Sequence, residues 1–260
     1  MSGLVQGALN QLRVVHAVAL RETRTRFGAH QLGYLWALLE PIFWIATFGG
    51  MFWALGRLTP HGLDLIPFLA TGIIPYELVM KTSDRVSNSI EANRALLFYP
   101  QVQTLDLALA RGGLEVATSI AVFAAIVGGY GLYVRELRID DVLRVLFGMG
   151  LAGLLGLALG LVLCASSVLS KSVERIRGPL FRPLFWVSGL FFTADALPLH
   201  IRQYMMWNPI LHCVEIVRDG WFTAYRSTEA SPAYVAVWII LLAFAGLTLE
   251  RAVRRRIQPT

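Results

Sequence analysis

The run Arg24–Pro41, R-T-R-F-G-A-H-Q-L-G-Y-L-W-A-L-L-E-P, decides the fold. A basic, helix-compatible segment meets a long aromatic and aliphatic one across a glycine step at Gly28 and Gly33. Arginines enter hydrocarbon only at high cost, and the residues after Tyr34 gain little by staying in water. The junction therefore marks a membrane entry point, with Arg24 and Arg26 held at one face.

Composition carries the same reading outward. Of 260 residues, 56% are hydrophobic and 15% charged, and mean hydropathy is +0.58. A soluble domain carries about 25% charged residues, so this is an integral membrane protein with small extramembrane parts, surrounded by lipid. The net charge of +6 raises the question of nucleic acid. The cations are almost all arginines beside apolar runs, however, so they orient the chain in a bilayer and no nucleic-acid partner is expected. Cys164 and Cys213 have no metal-ligand spacing and form no disulfide framework. Arg13, His16 and Arg21 interrupt any signal-like apolar core, so the chain is expected to keep its N-terminus and insert through its own spans.

A span needs about 20 apolar residues to cross about 30 Å of hydrocarbon. Six stretches qualify: Tyr34–Gly56, Leu63–Met80, Asp106–Val134, Val142–Leu169, a short fifth at Pro179–Thr193, and Pro232–Leu249. A polar stretch, Lys81–Thr104, separates the second from the third. The expected fold is thus an all-α membrane protein of one domain, residues 1–260. Residues 1–33 hold an interfacial helix, amphipathic over 10–27. Spans one to five occupy 34–193, a gate region 194–231, and span six with a basic tail 232–260.

Residues 194–231 are too polar for a span and too apolar for a plain loop. Asn208-Pro209 breaks any helix there. From Ile210, apolar residues follow helical spacing while Glu215, Arg218 and Asp219 fall off that stripe. Two short amphipathic helices at, or dipping into, one membrane face are predicted. Irregular backbone at depth must lie against protein or a wet cavity, so this region, with Trp207, Asn208, Pro209, Glu215 and Arg218, reads as a vestibule or gate. The Arg and Lys count is 16 on the side of the termini against 7 on the other, which puts both termini in the cytoplasm.

Motifs for chemistry are missing from the chain. The only lysines, Lys81 and Lys171, do not complete G-x-x-x-x-G-K-[ST], so the chain is not its own P-loop ATPase. Neither G-x-S-x-G nor H-E-x-x-H occurs, the five histidines are scattered, and no catalytic, cofactor or metal site is expected. Glu40 inside span one calls for a partner, expected among the rim arginines, or else for a cavity to face. Arg111 and Glu115, one turn apart, are expected to neutralise each other. Trp44, Phe48 and Phe52 form a stripe, either a lipid or helix contact or a stacking lane for sugar rings. Gly156 and Gly160 make a G-x-x-x-G pair for close helix approach. Lys81–Tyr99, with Asn88, Glu91, Asn93, Arg94, Phe98 and Tyr99, is the best surface for contact with another protein.

Four of these runs carry a family resemblance. R-E-T-R-T-R-F-G-A-H-Q-L-G-Y-L-W-A-L-L-E-P resembles the N-terminal motif of permease subunits of ABC-2 type polysaccharide exporters, nearest the KpsM-like permeases of Gram-negative capsule export. Ser89–Asp106 looks like their coupling-helix region. Pro183–Pro198 and Trp207–Arg218 resemble their fifth span and periplasmic gate helices. The likeness covers nearly the whole chain in order.

The resemblance implies a permease in the bacterial inner membrane that works as a homodimer. Separate ATP-binding subunits (KpsT-like) would hold the ATP and magnesium and dock on the coupling segment. Further partners would be a periplasmic co-polymerase subunit (KpsE-like) and an outer-membrane channel. The cargo would be a lipid-linked, often acidic, capsular polysaccharide. Its path would run past Arg21, Arg24, Arg26, Arg177 and Arg182 as a cationic mouth, then Glu40, Trp44, Phe48, Phe52, Phe185 and Trp186. Two rivals stand beside this reading. One is an ABC-2 permease for O-antigen, teichoic acid or a small hydrophobic compound. The other is a membrane-embedded glycan transferase, which would need a catalytic cluster that the sequence does not offer.

Overall fold

A computed structural model describes residues 2–27, 32–99, 101–135, 138–170 and 172–257. Among the described residues the chain is all helix and irregular segments, with no strand. Its α-helices in chain order are α1 (Ser2–Phe27), α2 (Leu32–Ala54), α3 (Leu65–Ser87), α4 (Ser89–Ala92), α5 (Thr104–Val134), α6 (Val142–Leu169), α7 (Ser172–Val187), α8 (Leu199–Met205), α9 (Pro209–Trp221) and α10 (Pro232–Ile257). Five of them, α2, α3, α5, α6 and α10, are long and apolar enough to cross a membrane.

The bundle is built around α3, which packs on α6, α5, α9 and α2, while α10 packs on α6. Close approach of α3 and α6 depends on the predicted glycine pair. A Cβ on Gly156 would lie 2.7 Å from the Val79 carbonyl oxygen, and one on Gly160 would lie 2.6 Å from Val86 Cβ. In lipid, where apolar burial gives helices little reason to associate, such backbone contact is what holds them. The outward face of α10 carries Val237, Ile240, Leu241 and Phe244 without protein cover, as a lipid-facing helix does.

Span four starts and stops at its predicted residues, with Asp141 as N-cap accepting from the Arg144 amide at 3.0 Å. Span two does not. Hydropathy ends it at Met80, yet α3 runs to Ser87. The last two turns are kept helical by pairing: Lys81 sits between Glu40 and Glu77, Asp84 meets Arg177, and Arg85 meets Glu115. Much of the predicted polar stretch is therefore the end of a helix.

The predicted fifth span, Pro179–Thr193, is also corrected. The helix is α7, Ser172–Val187, with Pro179 and Pro183 inside it and none of its residues buried. Its sixteen residues cover about 24 Å at 1.5 Å each, short of the hydrocarbon thickness. After it, Ser188–Thr193 is not helical, and Ser188, Leu190, Phe191 and Thr193 are buried. Pro179 and Pro183 lie mid-helix, and Gly189 at φ +78° follows its end.

Candidate functional site

Three surfaces carry the residues singled out by the sequence. The first is the end of the bundle that holds α4 and the 3-10 turn Arg94–Phe98. Glu91, Arg94, Phe98 and Tyr99 are exposed there, the two rings at 69% and 61%. Asn93 is buried: it accepts from Arg21 Nη1 at 3.2 Å and donates to the Ser89 carbonyl at 3.3 Å. Asn88 is half-buried at the C-cap of α3. The expected contact surface thus divides into four presented side chains and two that hold the backbone.

Beneath this segment lies a brace. Arg111 does not pair with Glu115 as its spacing implied. Its guanidinium meets Glu22 of α1 at 2.6 Å and donates to the carbonyls of Arg85 and Asn88 at 3.2 Å each. Glu115 instead takes Arg85 Nε at 3.3 Å. Gln11 reaches Asp106 at 3.1 Å, and Thr104 reaches Glu250 of α10 at 2.6 Å. Val18 of α1 packs against Leu107 and Ala110. The presented segment is therefore tied to α1, α3, α5 and α10 together, and a push on it reaches four helices. The sequence signal missed here was Arg111, whose partners are not its neighbours in the chain.

The second surface is the aromatic wall between α2 and α7. Trp44 and Phe48 stack at 5.7 Å, and Phe185 touches both at 5.7 Å. Phe48 lies 4.3 Å from Phe191, and Phe185 meets Tyr76 edge-on at 5.5 Å. Phe48 and Phe52 are buried, so within one protomer the stripe is not an open stacking lane. Trp44 and Trp186 alone present large ring faces, at 41% and 61% exposure. The lower half of the stripe is helix contact, the blander of the two readings.

Of the predicted cationic mouth, Arg177 is tied to Asp84 and to Ser87 Oγ, and Arg21 to Asn93. Arg182 is exposed. The side chains of Arg24 and Arg26 lie outside the described residues. Among the described residues the partner of Glu40 is not a rim arginine but Lys81, at 2.8 Å. A lysine 41 residues away in sequence supplied what local spacing assigned to the nearby arginines.

The third surface is the predicted gate. The break at Asn208-Pro209 is where the sequence put it: Pro209 opens α9 and Asn208 caps it, accepting from the Ile210 amide at 3.0 Å. α9, expected to lie at or dip into one membrane face, is enclosed in the bundle. Every residue from Ile210 to Trp221 is buried, with Glu215 and Arg218 fully enclosed. α9 packs on α6, α3 and α10. Its charged stripe faces other polar groups instead of water. Trp207, by contrast, is exposed at 73%.

The enclosed charges have a clear task. Ser188–Thr193 leaves helix geometry inside the bundle, so its peptide groups lack helical partners. Arg218 donates to the carbonyls of Phe192 at 2.8 Å, Leu190 at 3.3 Å and Phe68 at 3.4 Å, and its guanidinium lies 4.2 Å from the Phe68 ring centroid. Glu215 pairs with it at 3.5 Å and accepts from the Ala194 amide at 3.3 Å and Ser227 Oγ at 2.9 Å. Tyr225 donates to the same carboxylate. Burial, then the Glu215 charge, raise the Tyr225 phenol above its ordinary value, which keeps it a donor. Gly72 lets α3 approach: a Cβ there would lie 2.8 Å from Arg218 Nη2 and 2.9 Å from the Leu190 oxygen.

Outside this latch, Asp219 meets Arg144 at 2.6 Å and Arg226 at 3.2 Å, and Arg202 ties α8 to Glu229 and to the carbonyls of Asp195 and Leu197. His212 Nε2 meets the Met206 carbonyl at 2.8 Å, and its Nδ1 accepts from the Ser231 amide at 3.0 Å.

A broken helix folded back thus lies at one end of the bundle and a braced, exposed segment at the other. Residues 13–222 match the family described as ABC-2 type transporter. The chain belongs to that family. This ABC-2 transporter chain is 31% identical over 237 residues to the polysialic acid transport protein KpsM of Escherichia coli, covering 91% of the chain and 92% of the relative. It is 32% identical over 253 residues to the capsule polysaccharide export inner-membrane protein BexB of Haemophilus influenzae, covering 96% and 94%. It is 26% identical over 267 residues to CtrC, described in the same words, of Neisseria meningitidis, covering 99% and 97%.

Proposed function

We propose that this chain is the permease subunit of an ATP-driven exporter that moves lipid-linked capsular polysaccharide across the bacterial inner membrane. Relatives aligned over nearly their full length, named for polysialic acid transport and capsule polysaccharide export, support the cargo. The observation that carries the mechanism is the braced segment Ser89–Tyr99, which presents Glu91, Arg94, Phe98 and Tyr99 while the chain has no nucleotide-binding motif. A separate ATP-binding subunit docks there, and the brace through Arg111 passes its motion to α1, α3 and α5. The arginine count places that end, and both termini, in the cytoplasm, and α8 and α9 on the periplasmic side with the co-polymerase subunit and outer-membrane channel beyond.

The working unit is a homodimer. α7 carries Arg175, Arg177 and Arg182, has no buried residue, and is held mainly by the Arg177 pair at one end and the Phe185 ring cluster at the other. Such a helix is too polar to face lipid on all its open sides. A second copy covers it and makes α7, with Ser188–Thr193, the sixth crossing and the wall of the path. Trp44 and Trp186 then offer ring faces to sugars, and Arg182, with Arg24 and Arg26 from α1, makes the mouth attractive to an acidic chain.

The test is complementation. A strain lacking this gene should accumulate lipid-linked polysaccharide inside the cell and lose surface capsule, and the wild-type gene should restore it. Arg24→Glu with Arg26→Glu should not restore it, although the permease still co-purifies with its ATP-binding subunit. A deletion strain with undiminished capsule would overturn the reading.

A further inference from the structure

Between α2, α3 and α5, near the end that carries α4, lies a cleft of about 730 Å³. That is the size range of small-molecule pockets, about 300–1,000 Å³. Nothing proposed above uses it. Its polar lining is of both signs: Lys81 Nζ lies 2.8 Å from Glu40 and 2.9 Å from Glu77, Arg85 Nε lies 3.3 Å from Glu115, and Asp84 completes the set. Trp36 stands in the lining at 60% exposure. Indoles of this kind mark the level of lipid headgroups.

The same three helices form a second groove of about 480 Å³ further along the bundle, lined by Ile42, Ile45, Gly49, Gly50, Trp53 and Ile126. It is almost wholly apolar. A charged hollow beside an exposed indole, and an apolar groove that runs from the next turn of α2 at Ile42 to the α2–α3 connection at Trp53 and Leu65, match the two halves of a lipid.

The charges choose among lipids. The lining holds four carboxylates (Glu40, Glu77, Asp84, Glu115) against two cations (Lys81, Arg85). Arg177 from α7 answers Asp84, which leaves one more carboxylate than cations at the hollow among the described residues. An anionic headgroup would meet that excess. A primary ammonium brings three N–H donors to carboxylate acceptors, and an adjoining phosphate suits the Arg85 guanidinium. We propose that the cleft binds one zwitterionic aminophospholipid of the phosphatidylethanolamine class. Its ammonium lies among Glu40, Glu77 and Glu115, and an acyl chain lies along the Ile45–Gly49–Ile126 groove. Phosphatidylcholine, whose quaternary nitrogen has no N–H, binds worse. The lipid would fill the α2–α3–α5 seam beneath the coupling segment.

The full-length chain is reconstituted in vesicles of equal phosphatidylethanolamine, phosphatidylcholine and phosphatidylglycerol, extracted, washed in delipidating detergent and weighed by native mass spectrometry. Retained phosphatidylethanolamine should exceed each other lipid about tenfold, the worth of one charge-assisted hydrogen bond. Glu40→Gln with Glu77→Gln should erase the preference. So should Gly50→Leu, which fills the apolar groove at a position with no atom within 4 Å of an added Cβ; it decides the matter if the double variant does not fold. Glu229→Gln, at the opposite end, should keep the preference. Equal retention of the three lipids, a preference for phosphatidylglycerol, or a preference surviving Gly50→Leu would each overturn the proposal. The readout involves no export, so it stands or falls apart from the proposed cargo.

Discussion

The two ends of this bundle treat charge in opposite ways. At the gate end, Arg218 and Glu215 are fully enclosed and spend their donors and acceptors on the backbone of Ser188–Ala194. At the coupling end, Glu91 and Arg94 stand exposed, and the buried Asn93 and Arg111 work underneath. An enclosed charge fixes one arrangement because every alternative strands it. An exposed charge leaves its energy available to a partner. The contrast assigns rigidity to the gate latch and reception to the coupling segment, and mutations should separate the two by their effect on stability.

The largest effect belongs to Arg218. Arg218→Met removes the donor to three carbonyls and leaves Glu215 without its buried cation. Breaking a buried pair from one side costs about 3–5 kcal/mol, enough to unfold or misassemble the gate. Thermal unfolding of the purified protein, with proteolysis of the α7–α9 region as a local probe, reads this directly. A variant as stable as wild type would dissolve the claim that the latch is rigid. Gly72→Ala comes next. Its Cβ would press on the Leu190 backbone as well as on Arg218, and backbone does not move aside cheaply. Overpacking of this kind costs about 1–3 kcal/mol, and the same unfolding assay should rank it below Arg218→Met.

A smaller effect should appear with pH. Burial holds the His212 imidazole below its ordinary value, where the neutral ring accepts from Ser231 and meets the Met206 carbonyl. The unfolded chain takes up that proton more readily than the folded one. Stability is therefore full above the unfolded value of about 6.5 and is lost as pH falls through it towards the lower folded value. The loss should be about 1 kcal/mol, one hydrogen bond's worth. Melting temperatures measured from pH 7.5 to 5 should show this slope, and His212→Asn should lack it. Equal slopes in both proteins would remove His212 from the latch's supports.

How far the sequence disclosed these two ends follows from the reach of each signal. Period and punctuation are local, and they located α6 from Val142 to Leu169 and the break at Asn208-Pro209. They could not distinguish a charged stripe facing water from one facing a folded-back backbone, because Glu215 and Arg218 have the same helical spacing in both cases. Hence α9 read as a surface helix and is buried. Partners distant in the chain were equally hidden: Glu40 with Lys81, Arg111 with Glu22, Asp84 with Arg177. These pairs also explain why a hydropathy cut at Met80 stopped α3 two turns early. Glu91, Arg94, Phe98 and Tyr99 are presented as their polar and aromatic pattern suggested, while the burial of Asn93 was hidden from it. The aromatic stripe was visible as a pattern, while its use was not, since Phe48 and Phe52 face Phe185, Phe191 and α3 rather than a channel.

The smallest effect on stability, and the sharpest test of the comparison, is expected at Glu91 and Arg94. Both side chains are exposed, and neither makes a side-chain hydrogen bond or ion pair among the described residues. Replacing both by alanine should shift unfolding by less than about 0.5 kcal/mol, as for ordinary surface changes. The same double variant should lose co-purification with the ATP-binding subunit, or keep it while ATP hydrolysis no longer responds to the permease. Rim charges act mainly on encounter and register, and salt screens them, so the difference from wild type should shrink as salt is raised. Asn93→Ala makes the complementary case: it removes the acceptor for Arg21 beneath the surface, so it should weaken the protein itself and the docking together. If Glu91 and Arg94 proved as costly to stability as Asn93, the coupling end would be another latch. Charge exposure would then no longer tell the receiving end of this bundle from the fixed one.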